Sequence, residues 1–203
     1  TIAGRPSQPG TFNVTLTASN AATQPTNPAV PPETKTLVLT IAATSPVITN
    51  QNLTANGTVG VPFSYMVTAS GSQPVVLGAA PLPPGLTLSV GTVTTSVTTT
   101  QFASDDLIGA NVRVGQPVTV FLATGNQTRT VIAFDPTTGT ITVDAAIIGV
   151  SAQDKFFTNA ARDGLTFATI AGIPTAAAVG STAVTLTASN AILPDPYTTT
   201  LTI

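Results

Sequence analysis

The chain has 203 residues, of which only 7% are charged: six Lys or Arg against eight Asp or Glu, a net charge of −2, with no Cys and no His. A chain without Cys carries no disulfide scaffold and no thiol chemistry, and six cations make nucleic acid a poor partner. Mean hydropathy is positive at +0.39, yet no apolar run approaches the roughly 18 residues of a membrane helix, so no transmembrane segment is expected. Thr is the commonest residue, Pro and Gly are scattered at 17 and 16, and the helix formers Glu, Lys and Gln are scarce. Thr and Val favour strands while Pro and Gly punctuate turns, which predicts an all-β protein. So few charges give little electrostatic help to solubility. Such a surface suits a protein packed against copies of itself, covered by sugar, or held in an array.

Residues 1–45 begin with a short strand, Thr1-Ile2-Ala3-Gly4-Arg5-Pro6-Ser7. Phe12, Val14, Leu16 and Ala18 then alternate with Asn13, Thr15, Thr17 and Ser19, the period of a half-buried strand. Leu37, Leu39 and Ile41 alternate with Val38 and Thr40 in the next strand. The connection over 21–33 carries Pro25, Pro28, Pro31 and Pro32 and is expected to be irregular.

Ser45-Pro46 opens a new unit. Short strands are expected at 47–50 and at 53–61 with a glycine break. Phe63, Tyr65 and Val67 alternate with Ser64, Met66 and Thr68 in a third, and residues 74–77 form a fourth. Leu82-Pro83-Pro84-Gly85-Leu86-Thr87-Leu88 reads as a rigid turn feeding a strand. Over 97–162 the texture changes. Asp105, Asp106, Asp135, Asp144 and Asp154 lie here with Arg113, Arg129 and Lys155. Strands are expected at 112–114, 118–122, 128–134 and 140–143, the last two joined by the hairpin turn Asp135-Pro136-Thr137-Thr138-Gly139. This region reads as a small β subdomain inserted into a larger one, which resumes at 165–173.

The last segment repeats the first. Thr169-Ile170-Ala171-Gly172-Ile173-Pro174-Thr175 matches Thr1 to Ser7, and Val184-Thr185-Leu186-Thr187-Ala188-Ser189-Asn190-Ala191 is identical to Val14 to Ala21. Both copies close on Leu-Thr-Ile, at Leu39 to Ile41 and at Leu201 to Ile203. Eight identical residues in a row mark an internal repeat. The second copy follows sequence that completes a domain, over 46–96 and 163–203. The first is expected to be only the back half of such a unit, over 1–45. Two or three strands with one apolar face do not stand alone in water. Phe12, Val14, Leu16, Leu37, Leu39 and Ile41 are therefore the candidate assembly interface. Their cover is expected from preceding sequence in a tandem array, from another subunit by strand complementation, or from the rest of this chain.

Several motifs carry a resemblance. Pro46-Val47-Ile48, Gly60-Val61-Pro62-Phe63-Ser64-Tyr65, Leu82 to Leu88, Ile170-Ala171-Gly172-Ile173-Pro174-Thr175 and Val184 to Asn190 follow one another in order. Together they resemble the immunoglobulin-like repeat of bacterial surface proteins known as He_PIG, related to cadherin-like repeats. The likeness covers 46–96 and 164–203, and residues 1–45 match its second half. It implies an immunoglobulin-like β-sandwich, an extracellular setting in adhesins, stalks and surface fibres, and no catalytic residues. The insertion departs from that pattern. Its stretch Gln127 to Asp135, followed by Thr140 to Asp144, resembles small β modules of phage virion and tail proteins.

The chemistry available is sparse. Without His or Cys the usual general base, thiolate nucleophile and soft metal ligands are missing. Asp105 and Asp106 are adjacent and in a strand would face opposite ways, unlike a hydrolase pair. No enzyme activity and no cofactor are expected. Calcium is a property of cadherin-like junctions, but residues 42–46 hold no acid and no Asp-x-Asp-x-Asp-Gly loop exists. Asp105, Asp106, Asp144 and Asp154 are expected to be solvated loop carboxylates. Phe156-Phe157 is unusual, because neighbours in a strand cannot both face one core. Glycosylation triplets occur at Asn13, Asn52, Asn56 and Asn126. Asn13 sits mid-strand, leaving Asn52, Asn56 and Asn126 as the candidate acceptors.

The expectation is a non-enzymatic extracellular structural protein, the building block of a cell-surface filament, sheath or stalk and a partner to itself. The alternative is an adhesin or phage-fibre binding module whose insertion contacts a host protein or glycan.

Overall fold

The computed structural model describes residues 1–4, 9–19, 32–190 and 193–203. They fall into two compact units, Thr1–Thr44 and Ser45–Ile203. The chain is all-β: strands and tight turns, with two short 3-10 turns at Asp105–Leu107 and Ala176–Ala178 and no α-helix among the described residues. Residues rich in β-branched side chains, broken by Gly and Pro, leave no stretch long enough for a stable helix.

Unit 1 is a hairpin of β1 (Gly10–Ala18) and β2 (Glu33–Ile41), paired antiparallel over nine residues with Phe12 opposite Leu39 and Val14 opposite Leu37. The proline-rich connection expected between them lies outside the described residues, apart from Pro32 and Glu33.

Unit 2 continues with β3 (Val47–Ile48), β4 (Phe63–Ser70), β5 (Val76–Ala80) and β6 (Leu86–Ser89). Then come β7 (Gly91–Thr92), β8 (Thr95–Thr98), β9 (Gln101–Ala103), β10 (Asn111–Val112), β11 (Pro117–Phe121), β12 (Gln127–Asp135), β13 (Thr140–Val143) and β14 (Lys155–Thr158). β15 (Ala160–Arg162), β16 (Leu165–Gly172), β17 (Ala183–Asn190) and β18 (Leu193–Thr202) complete it.

Two sheets form a sandwich. One runs β10-β15-β16-β4-β3 with β6 also paired to β16; the other runs β18-β17-β5. Period-two alternation sends Phe63, Val67 and Ala69 of β4, and Ala168 and Ile170 of β16, into the same core as Val184, Leu186 and Ala188 of β17 and Leu201 of β18. β3 is shorter than the sequence suggests. Beyond Thr49, whose N–H still donates to the Thr68 carbonyl at 2.9 Å, the side chain of Asn50 replaces the ladder, its amide donating to the Met66 carbonyl at 2.8 Å and its oxygen accepting from the Thr68 N–H at 2.9 Å. Residues 53–61 form no extended strand either. Only one parallel bridge, Thr54 to Thr202, ties them to β18, because Gly57, Gly60 and Pro62 interrupt the run.

The turn before β6 has a specific requirement. Gly85 has φ +94° and backs onto the Ile173 carbonyl, while Gly172 backs onto the carbonyl of Gly85. A Cβ on either would fall on a backbone oxygen. The Leu-Pro-Pro-Gly-Leu and Ile-Ala-Gly-Ile-Pro segments, 80 and more residues apart in sequence, are thus one joint: their glycines let β6 and β16 pair, with Leu86 opposite Gly172.

The insertion forms a third sheet, β7-β14-β11-β12-β13-β9-β8. Its two ends, β7 and β8, are consecutive in sequence, so the sheet curls back on itself. Phe102 and Phe156 meet inside it edge to face, ring centroids 5.2 Å apart, with Val118, Val120, Val131 and Ile141 fully buried around them. Phe157 points the other way and is half-buried against the same continuous core. The limits differ from the expected 97–162. The curled sheet starts at Gly91, since the Val90 and Val93 N–H groups already bond to the Phe156 and Asp154 carbonyls. β15 pairs with β16 and so belongs to the sandwich, which also takes in β10 from within the insertion. Arg162 ties the two, its Nη2 donating to the carbonyls of Asp106 at 2.8 Å and Ile108 at 2.9 Å while its guanidinium lies over the Phe167 ring.

The expected β12–β13 turn is present. The Asp135 carboxylate accepts from the Thr137 N–H at 2.8 Å and from the Thr137 and Thr138 hydroxyls. These bonds, the Thr137 hydroxyl foremost, hold its carboxyl below the ordinary value. A depressed folded value means the turn's contribution is complete above the unfolded carboxylate range and is lost as pH falls through the folded value. The Thr137 amide shift in an NMR titration is expected to follow a midpoint below that of an unstructured Asp, and Asp135→Asn is expected to remove it. A midpoint at or above the ordinary value would contradict this geometry.

Candidate assembly surface

Directly opposite residues in an antiparallel pair share a face. The register therefore places Phe12, Val14, Leu16, Leu37, Leu39 and Ile41 on one side of the unit 1 hairpin. The other side carries Thr11, Asn13, Thr15, Thr17, Thr34, Thr36 and Thr40, interrupted by Val38. The apolar strip ends at Lys35 and Glu33, an exposed ion pair at 3.1 Å. None of the six apolar residues is buried. Phe12 is 42% exposed and Leu16 46%, and Val14, Leu39 and Ile41 are half-buried.

The repeat provides an internal standard. Val184, Leu186 and Leu201, the counterparts of Val14, Leu16 and Leu39, are all 0% exposed. Ile170 is also at 0%, whereas its counterpart Ile2 is at 61%. The same phrase thus lines a packed core in one copy and an open face in the other. Fully burying side chains of this kind is worth about 1.5–3 kcal/mol each, so the open face holds several kcal/mol of unused burial. The registers differ as well. Val184 lies opposite Leu201, but Leu39, the counterpart of Leu201, lies opposite Phe12, two residues earlier than Val14. A shift of two keeps every side chain on its own face, and register is weakly specified where no face is buried.

The remaining candidate residues are separated. Asn52, Asn56 and Asn126 are all exposed in loops, as expected for acceptors, while Asn13 is exposed within β1. Asn52 is partly engaged: its side-chain oxygen accepts from the Thr54 N–H at 3.1 Å and its carbonyl from the Tyr65 hydroxyl. Asp105 and Asp106 lie on a 3-10 turn rather than in a strand. Asp106 accepts from the Thr92 N–H, Asp144 from Thr130, and Asp154 from Ser151. Asp106 and Asp144 thus fasten their loops to β7 and β12 while Asp154 closes its own loop, and among the described residues no three His, Cys, Asp or Glu gather as a metal site. A shallow groove of about 380 Å³ opens between Val59, Pro83, Pro174 and Val179, with no ionisable side chain in its lining.

No helix among the described residues is long and apolar enough to cross a membrane. Fold and surface together define an all-β sandwich with an inserted curled sheet, joined in sequence to a hairpin whose apolar face is exposed. Comparison with known protein families, curated proteins and solved structures finds no match for the chain.

Proposed function

We propose that the chain is a non-enzymatic structural subunit of an extracellular filament, sheath or stalk, assembled through the unit 1 hairpin. The observation that carries this reading is the contrast between two copies of one phrase: Leu186 is at 0% exposure and Leu16 at 46%. An exposed apolar sheet face with a free strand edge is a site for pairing with another polypeptide. The threonine-rich, weakly charged composition and the likeness to bacterial surface repeats agree with an extracellular setting. Sedimentation velocity tests the reading. The full chain is expected to form a concentration-dependent series of assemblies, and a chain beginning at Ser45 to remain folded and monomeric. Equal assembly by the shorter chain would sink the proposal.

The second reading is a binding module that meets a surface protein or glycan through the inserted sheet. It draws on Ile132 of β12 and Ile148 in the loop after β13, both exposed. Polar substitutions there would abolish binding and leave assembly unchanged.

A further inference from the structure

The second copy of the repeat shows how such a hairpin is completed, and it does so at three places. The free edge of β17 is filled by β5, with Leu186 opposite Ala79. Its apolar face is buried in one core with β3, β4 and β16, where Ile48, Val67, Ala69 and Ile170 are buried. The strand leading into it pairs with β6, Ile170 opposite Leu88, and Gly172 seats the Gly85 turn. In the first copy the three corresponding places are open together. Among the described residues β1 pairs with β2 alone, its face is exposed, and Gly4, the counterpart of Gly172, has nothing within 4 Å of where a Cβ would stand.

We infer that the occupant of the unit 1 hairpin is a polypeptide segment built like residues 46–89 and 163–168 of this chain. It supplies a strand for the free edge of β1, a sheet with alternating apolar residues for its face, and a Pro-Pro-Gly-Leu turn whose glycine backs onto Gly4. This rests on the assembly reading, in which copies of the chain cover the hairpin only in part, and names the segment that covers it in full. A second copy of the hairpin would cover the face but would bring no turn to Gly4. Unit 2 of a second copy cannot serve as it stands, since its inner face is already occupied by its own β17 and β18. The occupant is therefore a front half free of its own closing hairpin.

The test extends the full chain at its N-terminus. A copy of residues 46–89, a flexible linker of about eight residues and a copy of 163–168 are joined directly to Thr1. Hydrogen exchange reads the backbone amides of β1, and sedimentation reads assembly. The expected result is at least about a hundredfold slower exchange over residues 11–17 together with loss of self-association. Gly4→Val is expected to undo both effects in the extended chain and to change nothing in the original one. Two outcomes overturn the inference: amides that stay unprotected in the extended chain, or protection there that is indifferent to Gly4→Val. If the original chain also fails to self-associate, the assembly reading falls separately.

Discussion

Replacing both Phe12 and Leu39 with Lys is expected to abolish self-association, while replacing both Thr11 and Thr40 with Lys leaves it intact. The two double variants add the same charge to the same two strands. Phe12 faces Leu39 and Thr11 faces Thr40 in one ladder, so they differ only in the side of the hairpin that receives the lysines. Burying a Phe and a Leu contributes about 1.5–3 kcal/mol each. Losing both weakens association by roughly two to four orders of magnitude, before the cost of desolvating two ammonium groups is added. Neither pair lies in the core of unit 2, whose folding is expected to be unchanged. Sedimentation velocity across a concentration series measures the difference. Equal association by both variants would show that the apolar face is not the contact.

Gly85→Ala is expected to destabilise unit 2 by about 3 kcal/mol or more. Two effects add. Gly85 has φ +94°, which an L-residue rarely adopts, and its new Cβ would land on the Ile173 carbonyl oxygen. That oxygen cannot swing aside, because the chain there is held in both directions: the Pro174 carbonyl accepts from the Gly60 N–H and the Thr175 N–H donates to the Pro84 carbonyl, both near 3 Å. For a unit of this size the loss lowers Tm by roughly 6–12 °C, measurable by calorimetry. Gly4→Ala provides the contrast, since nothing lies near Gly4 and no change in Tm is expected. A Gly85→Ala protein that melts like the wild type would mean that the joint between β6 and β16 is not under steric constraint.

Much of the architecture was legible residue by residue. Period-two alternation marks β1, β2 and β4, because a strand half in a core must alternate. The Asp135 to Gly139 turn was legible because Asp, Pro and Gly each favour a particular part of a tight turn. The six apolar residues of unit 1 were legible as one face for the same reason that their register now groups them. Other features were not. β3 ends early because an asparagine side chain reaches across to β4, a contact between residues 16 and more apart that no local pattern announces. Gly91 and Thr92 look like a continuation of β6 in the sequence, and only the pairing with β14 puts them in the curled sheet. Asp105 and Asp106 are legible as loop carboxylates, but not the 3-10 turn that carries them.

By itself the sequence determined the all-β character, the alternating faces and the repeated phrase. These are local properties, set by side-chain shape, by backbone preference and by identity along the chain. Whether a copy of that phrase becomes core or surface is not local. Val184 and Leu186 are buried because β3, β4, β5 and β16 converge on them from distant parts of the sequence; Val14 and Leu16 have the same neighbours in sequence and, among the described residues of unit 1, no second sheet opposite them. Burial depends on which sheet lies opposite, and only the tertiary structure decides that.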